Sequence, residues 1–128
     1  NPLFNSVAPY ELQMPNEYKI FLEEKGIKYF EHKEFNDIIS EADIIYMTRV
    51  QKERFPDPIE YEKVKNVYIL RNSMLEKTKA NLKILHPLPR VNEIHSDVDS
   101  NKKAYYFTQA LNGVFTREAI ITHTMNLK

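Results

Sequence analysis

Cysteine is absent from this 128-residue chain. Without it there is no disulfide framework and no thiolate-ligated metal. Glycine occurs only twice, as Gly26 and Gly113. A dinucleotide fingerprint or a phosphate-binding loop needs several glycines close together, so that backbone N–H groups can approach the phosphates. This chain can build neither, and any phosphorylated compound it handles must be gripped mostly from elsewhere. Net charge is also missing, because eighteen Lys and Arg cancel eighteen Asp and Glu. Nothing steers the chain toward nucleic acid or an anionic membrane. No apolar run approaches the length of a membrane span and no signal peptide opens the chain, so a cytoplasmic protein is the default expectation. The four histidines, His32, His86, His95 and His123, show no metal-ligand spacing. No serine has an adjacent histidine and acid in a hydrolase pattern.

What is present is one domain's worth of chain, with 42% hydrophobic residues for a core. Apolar runs at 3–7, 27–30, 43–47, 67–70 and 83–85 read as strands. Helical patterns lie between them. Asn16 is placed to cap a helix running to about Lys25, which Gly26 ends. Phe35, Ile38, Ile39 and Ala42 fall at i, i+3, i+4 and i+7. Residues 59–65 and 73–79 are shorter helical candidates. Regular alternation predicts a parallel α/β sheet of about five strands flanked by helices, Rossmann-like in plan. The run 43–47 is apolar nearly throughout and is expected at its centre. A polar stretch, 92–103, is long for a structureless loop. From 104 onward Phe107, Ala110, Leu111, Val114 and Ile121 form an apolar helical stripe. These features divide the chain into an α/β body, 1–103, and a C-terminal helix, 104–128.

The last strand runs into Leu85-His86-Pro87-Leu88-Pro89-Arg90. Proline has no N–H for a ladder, so the strand must end and the carbonyls of Pro87 and Leu88 lose their partners. Leu88-Pro89 is a candidate cis bond, since only an X–Pro bond carries a small cis penalty. Such a turn is either a stiff connection with no chemistry or a pair of acceptors for an amine or amide N–H. Arg90 adds a positive charge beside it. Arg49 and Gln51 lie two apart after the third strand and share a side if the chain stays extended. Guanidinium and amide together make a cradle for a carboxylate, or else ordinary loop polarity. Asp97 and Asp99 alternate about Val98, as an acid–base pair, a metal site or a solvated capping loop would. His86 is expected to pack and hydrogen-bond locally.

Three blocks resemble one family, the aspartate transcarbamoylases. They are Asp43-Ile44-Ile45-Tyr46-Met47-Thr48-Arg49-Val50-Gln51-Lys52-Glu53-Arg54, then His86-Pro87-Leu88-Pro89-Arg90 with Glu93 and Asp97-Val98-Asp99, then the segment from Tyr106 to Arg117 that contains Gln109-Ala110-Leu111-Asn112-Gly113. They occur in the family's order and span nearly the whole chain. Ornithine transcarbamoylases typically carry Cys where Pro87 stands, so the likeness is to the aspartate branch.

The resemblance implies the aspartate-binding part of an enzyme that joins carbamoyl phosphate to L-aspartate in pyrimidine synthesis, without metal or organic cofactor. It implies that Arg49 and Gln51 hold an aspartate carboxylate, and that Pro87 and Leu88 offer backbone carbonyls to the amine and the carbamoyl nitrogen. Glu53 would orient Arg49, and Arg54 would pair with the other domain on closure. Tyr61 would sit on a mobile loop near the turn, with Pro89 and Arg90 in support. Two departures stand out: Asn92 replaces an acid that meets this tyrosine, and the loop near Phe55-Pro56 is one residue longer. The phosphate-binding motif and a carbamoyl-polarising histidine belong to a missing N-terminal domain, and family active sites sit between subunits of a homotrimer. A non-catalytic α/β ligand-binding or docking domain on the same scaffold is the alternative. The 128-residue chain by itself is therefore expected to be inactive. Carbamoyl transfer by the purified chain alone, followed as N-carbamoyl-L-aspartate formation, would overturn that expectation.

Overall fold

A computed structural model describes residues 2–126. Asn1, Leu127 and Lys128, the last two at the end of the expected C-terminal segment, lie outside the described residues. The chain opens with a β-α-β unit. Strand β1 (Leu3–Val7) pairs in parallel with β2 (Lys28–His32), in the register Leu3 to Lys28 through Val7 to His32. Helix α1 (Asn16–Glu24) makes the crossover. Pro15, not Asn16, holds the cap position, with φ −57° and ψ 145°. The proline ring presets that extended geometry, and its carbonyl accepts from Tyr18 N–H at 3.1 Å. Asn16 is consequently the first helical residue and does not cap. At the other end Gly26 adopts φ 63°, a left-handed conformation that glycine takes without a Cβ penalty. Gly26 N–H then reaches Glu23 O, and Ile27 N–H reaches Leu22 O, which closes the helix in a Schellman arrangement.

A second parallel pair holds the core. Strand β3 (Ile44–Tyr46) pairs with β4 (Lys83–Leu85), Ile45 opposite Ile84. On the far side of β4, Ile84 bridges to Ala104 through Ile84 N–H to Lys103 O and Tyr105 N–H to Ile84 O. Between β3 and β4 the chain forms helix α2 (Pro58–Val64), where Asp57 accepts from Ile59 N–H at 2.8 Å and Pro58 stands in the first turn.

The sheet differs from the expected single sheet of about five strands. Two two-stranded parallel sheets are formed, β1-β2 and β3-β4. The run 67–70 contributes only a parallel bridge between Leu70 and Ile94. Its start is used to end α2, through Val67 N–H to Val64 O. Its end is claimed by the loop after the proline turn: Leu70 N–H binds Glu93 O and His95 N–H binds Leu70 O. Nor is β3 covered on both faces. Ile45 is buried, but Ile44 is 62% exposed and Tyr46 57%.

The expected helix over 35–42 is only a 3₁₀ turn, Phe35–Asp37. The segment is short, and adjacent Ile38 and Ile39 are stiff at χ1, so local helix formation has little support. Ile39 nonetheless reaches the core. The candidate at 73–79 is likewise a 3₁₀ turn, Asn72–Leu75. Lys103 packs over the chain just after it, its buried ammonium donating to Leu75 O at 3.1 Å and Thr78 Oγ1 at 2.6 Å.

Helix α3 (Tyr106–Thr124) is long, but of its side chains only Tyr106 is buried. Phe107, Leu111, Val114 and Ile121 are exposed, so no described residue covers the apolar stripe. No helix among the described residues is long and apolar enough to cross a membrane.

The core gathers Ile45, Leu70, Leu75, Leu82, Ile84, Ile94 and Val98 around the ring of Tyr106. Ile84, with no exposed surface, sits between two backbone partners. Ile84→Ala is expected to lower unfolding free energy by about 3 kcal/mol and Ile84→Val by about 1 kcal/mol, as measured by urea denaturation.

Candidate functional site

The site is built where β4 ends. Leu85 O accepts the last ladder bond from Met47 N–H at 2.9 Å. His86 N–H leaves the sheet and donates to the side chain of Gln109, on α3, at 2.9 Å. The chain then turns through Pro87 and Leu88, and the Leu88-Pro89 bond is cis. Leu88 lies at φ 45°, a region that a side chain with a Cβ occupies at a cost. Its N–H donates to Nδ1 of His86 at 2.8 Å. The His86 ring is buried, and its Nε2 lies 2.7 Å from Oε1 of Glu93. The Glu93 carboxylate also accepts from Val91 N–H at 3.1 Å and Asn92 N–H at 3.0 Å. Pro87 and Pro89 face solvent. Among the described residues the carbonyls of Pro87 and Leu88 accept no hydrogen bond.

Arg90 does not stand as a free charge beside the turn. Its guanidinium grips Asp99 with both prongs, Nη1 to Oδ1 and Nη2 to Oδ2, the latter at 2.5 Å. The Tyr106 hydroxyl donates to Asp99 Oδ1 at 2.5 Å and accepts from Arg90 at 3.2 Å. Hydrogen bonding from Arg90 holds the Asp99 carboxyl below its ordinary range, against the opposing effect of burial. Burial, then Asp99, pushes the Tyr106 phenol up to about 12. Asp99 is thus a structural partner of Arg90 and no half of an acid–base pair. Asp97 accepts from Asn72 N–H at 3.2 Å. No cluster of His, Asp and Glu among the described residues could hold a metal ion.

Across from the turn, the chain leaves β3 without regular structure and passes Arg49 and Gln51 into a 3₁₀ turn, Lys52–Arg54. Arg49 Nη2 donates to Glu53 Oε1 at 2.5 Å. The Glu53 carboxyl is lowered first by its own backbone N–H and then by Arg49. Arg49 lines a shallow open cleft together with Tyr61, Lys65 and the loop Val91-Asn92-Glu93. Gln51 and Arg54 do not line this cleft, and neither side chain hydrogen-bonds within the described residues. Tyr61 stacks edge-on to Phe55, ring centroids 5.8 Å apart. Asn92 shares the cleft with Tyr61 but donates to Asn66, just past α2, at 3.2 Å. Of the residues singled out in the sequence, the cleft brings together Arg49, which is bonded to Glu53, and Tyr61, beside the loop Val91-Asn92-Glu93 that follows the proline turn; Pro87, Leu88, Pro89 and Arg90 do not line it.

The sequence profile for the Asp/Orn-binding domain of aspartate/ornithine carbamoyltransferases matches residues 4–124. The aspartate carbamoyltransferase catalytic subunit of Bacteroides thetaiotaomicron is 63% identical over 99% of this chain, which spans 41% of that protein. The Bacteroides fragilis subunit is 60% identical, with 99% and 42% covered. The chain belongs to the aspartate/ornithine carbamoyltransferase family. Its backbone superimposes on the catalytic subunit of M. jannaschii aspartate transcarbamoylase with a TM-score of 0.86 at 40% identity, over 98% of this chain and 42% of the other. Aspartate transcarbamoylase from Trypanosoma cruzi, solved with carbamoyl aspartate and phosphate, gives 0.80 at 30% identity, over 93% and 39%. The chain spans about two-fifths of the length of these relatives.

Glu93, Asp99, Tyr106 and Gln109 all lie in the quoted blocks of this carbamoyltransferase domain, but the partners they take are visible only in the structure. Each acts across a gap with no fixed geometry, such as seven positions spanning two prolines between His86 and Glu93. Opposite charge on Arg90 and Asp99 was the only available signal. Asp99→Asn is expected to cost the complete protein about 2 kcal/mol at neutral pH, because Arg90 loses a charged two-pronged partner. Asp99 is depressed in the folded state, so its contribution is present above the ordinary carboxylate range and is lost as pH falls through the lowered value. Urea unfolding of wild type and variant should converge as the solution is acidified.

Proposed function

We propose that this chain is the aspartate-binding part of an aspartate carbamoyltransferase. Carbamoyl phosphate and L-aspartate would give N-carbamoyl-L-aspartate and phosphate, an early step of pyrimidine synthesis. The observation that carries this reading is the cleft where Arg49, braced by Glu53, meets the loop that follows two unengaged carbonyls. A guanidinium fixed at one end and acceptors at the other suit a ligand with a carboxylate and an amine. The high identity to aspartate carbamoyltransferase subunits supports the same substrates.

In the proposed mechanism Arg49, assisted by Gln51, holds a carboxylate of aspartate, with Glu53 keeping the guanidinium in place. The carbonyls of Pro87 and Leu88 accept from the substrate amine and the carbamoyl N–H groups. They thereby aim the nitrogen lone pair at the carbamoyl carbon. The C–N bond forms, a tetrahedral oxyanion collapses, the C–O bond to phosphate breaks, and the departing phosphate takes up the proton lost from the amine. Such a reaction is accelerated mainly by positioning and by donors aimed at developing charge. Pro89 and Arg90 brace the turn. Arg54 and Tyr61 serve closure against a second domain.

Phosphate grip is assigned to that second, N-terminal domain, since two glycines leave this chain no phosphate loop. The exposed stripe of α3 suits docking on the same domain, which supports the division into a body, 1–103, and a returning helix, 104–128. A homotrimer in the cytoplasm completes the proposal. Proline at position 87, in place of cysteine, favours aspartate over ornithine.

In the complete protein, Arg49→Ala is expected to lower kcat/KM for L-aspartate by about 10²-fold or more, leaving carbamoyl phosphate affinity unchanged. Steady-state kinetics with each substrate varied in turn checks this. Undiminished aspartate-dependent turnover would remove Arg49 from the site and favour a binding-only domain.

A further inference from the structure

The hydrogen bonds inside the proline turn form a closed circuit whose consequence lies outside it. Leu88 N–H belongs to the same peptide plane as the Pro87 carbonyl. That peptide is trans, because the cis bond follows Leu88. In a trans peptide the N–H and the C=O point in opposite directions. Whatever fixes the direction of Leu88 N–H therefore aims the Pro87 carbonyl. Here it is fixed by Nδ1 of His86, at 2.8 Å. Accepting that bond leaves Nδ1 without a proton and places the ring proton on Nε2, toward Glu93 at 2.7 Å. Glu93 in turn is held by Val91 and Asn92 N–H groups. The His86 side chain is 1% exposed and that of Glu93 9%, so water competes for neither. Both ring nitrogens are engaged inside the turn, which removes His86 from any role as a proton acceptor for substrate. Leu88 is meanwhile kept at φ 45°, a conformation it would leave if released.

We infer that His86 and Glu93 are positioning residues, a buried pair that aims the Pro87 carbonyl at the amino group of the amino-acid substrate. The inference rests on the proposed function, which gives that carbonyl its ligand. It also makes a chemical distinction between substitutions. Asparagine at position 86 keeps an oxygen near the place of Nδ1 and can still accept from Leu88 N–H. Glutamine extends its amide toward Glu93 and leaves Leu88 N–H without an acceptor.

The experiment uses the complete enzyme, with kcat and KM measured for L-aspartate and carbamoyl phosphate separately and melting temperature as the control for folding. His86→Gln is expected to lower kcat/KM for L-aspartate by about 10²-fold while the KM for carbamoyl phosphate stays put. His86→Asn should recover most of that loss. Equal losses in the two variants, or a parallel loss of carbamoyl phosphate affinity, would reduce the pair to a packing role and overturn the inference alone. Should His86→Gln fail to fold, Glu93→Gln carries the same test. It keeps an acceptor for the ring and should show a smaller loss confined to L-aspartate; no loss, or one shared with carbamoyl phosphate, overturns the inference. If the wild-type enzyme does not carbamoylate L-aspartate, the functional reading falls and this inference with it.

Discussion

The structure depends on how one strand stops. β4 is paired on both sides, with β3 and through the bridge from Ile84 to Ala104, yet within four residues of Leu85 it meets two prolines that cannot continue a ladder. The N–H groups that follow must find side-chain partners or remain unpaired at a buried place. Gln109 takes His86 N–H, the His86 ring takes Leu88 N–H, and Glu93 takes Val91 and Asn92 N–H. Four donors of the turn, the N–H groups of His86, Leu88, Val91 and Asn92, are thus answered by side chains, while the carbonyls of Pro87 and Leu88 accept no hydrogen bond among the described residues. A turn organised in this way is rigid and has acceptors to spare.

The same turn ties the rest of the core together. Glu93 gives its backbone carbonyl to Leu70 and its carboxylate to the His86 ring, joining the end of α2's outgoing chain to the end of β4. Arg90 locks to Asp99 and Tyr106, which seats the first turn of α3 in the core. Gln109 adds a second tie from α3 to the turn. The outer turns of α3 have no such ties, and their apolar side chains stand in solvent, as do Ile44 and Tyr46 of β3. Exposed apolar surface of this extent is characteristic of interaction sites.

Legibility in the sequence tracked how local the cause was. Gly26 as a helix stop and the proline turn as a strand end each follow from one or two residues, and both are found. Arg49 and Glu53, four apart, were paired by resemblance and are bonded. Failures came where segments compete. Asn16 lost the cap to Pro15, whose ring already holds the extended geometry. The run 67–70 has strand composition, but its backbone was claimed at one end by α2 and at the other by residues 93–95. Residues 35–42 have helical spacing, but what their apolar side chains needed was a place in the core.

By itself the sequence determined the element types with strong local signals, the point at which β4 must end, and the family to which the chain belongs. These are written in residues that act on their own backbone. Only the tertiary structure decided which donors the turn would satisfy, that Arg90 would be occupied by Asp99, and that the parallel strands would form two pairs. Those outcomes depend on groups far apart in the chain competing for the same few buried hydrogen bonds, and spacing along the sequence carries no record of who wins.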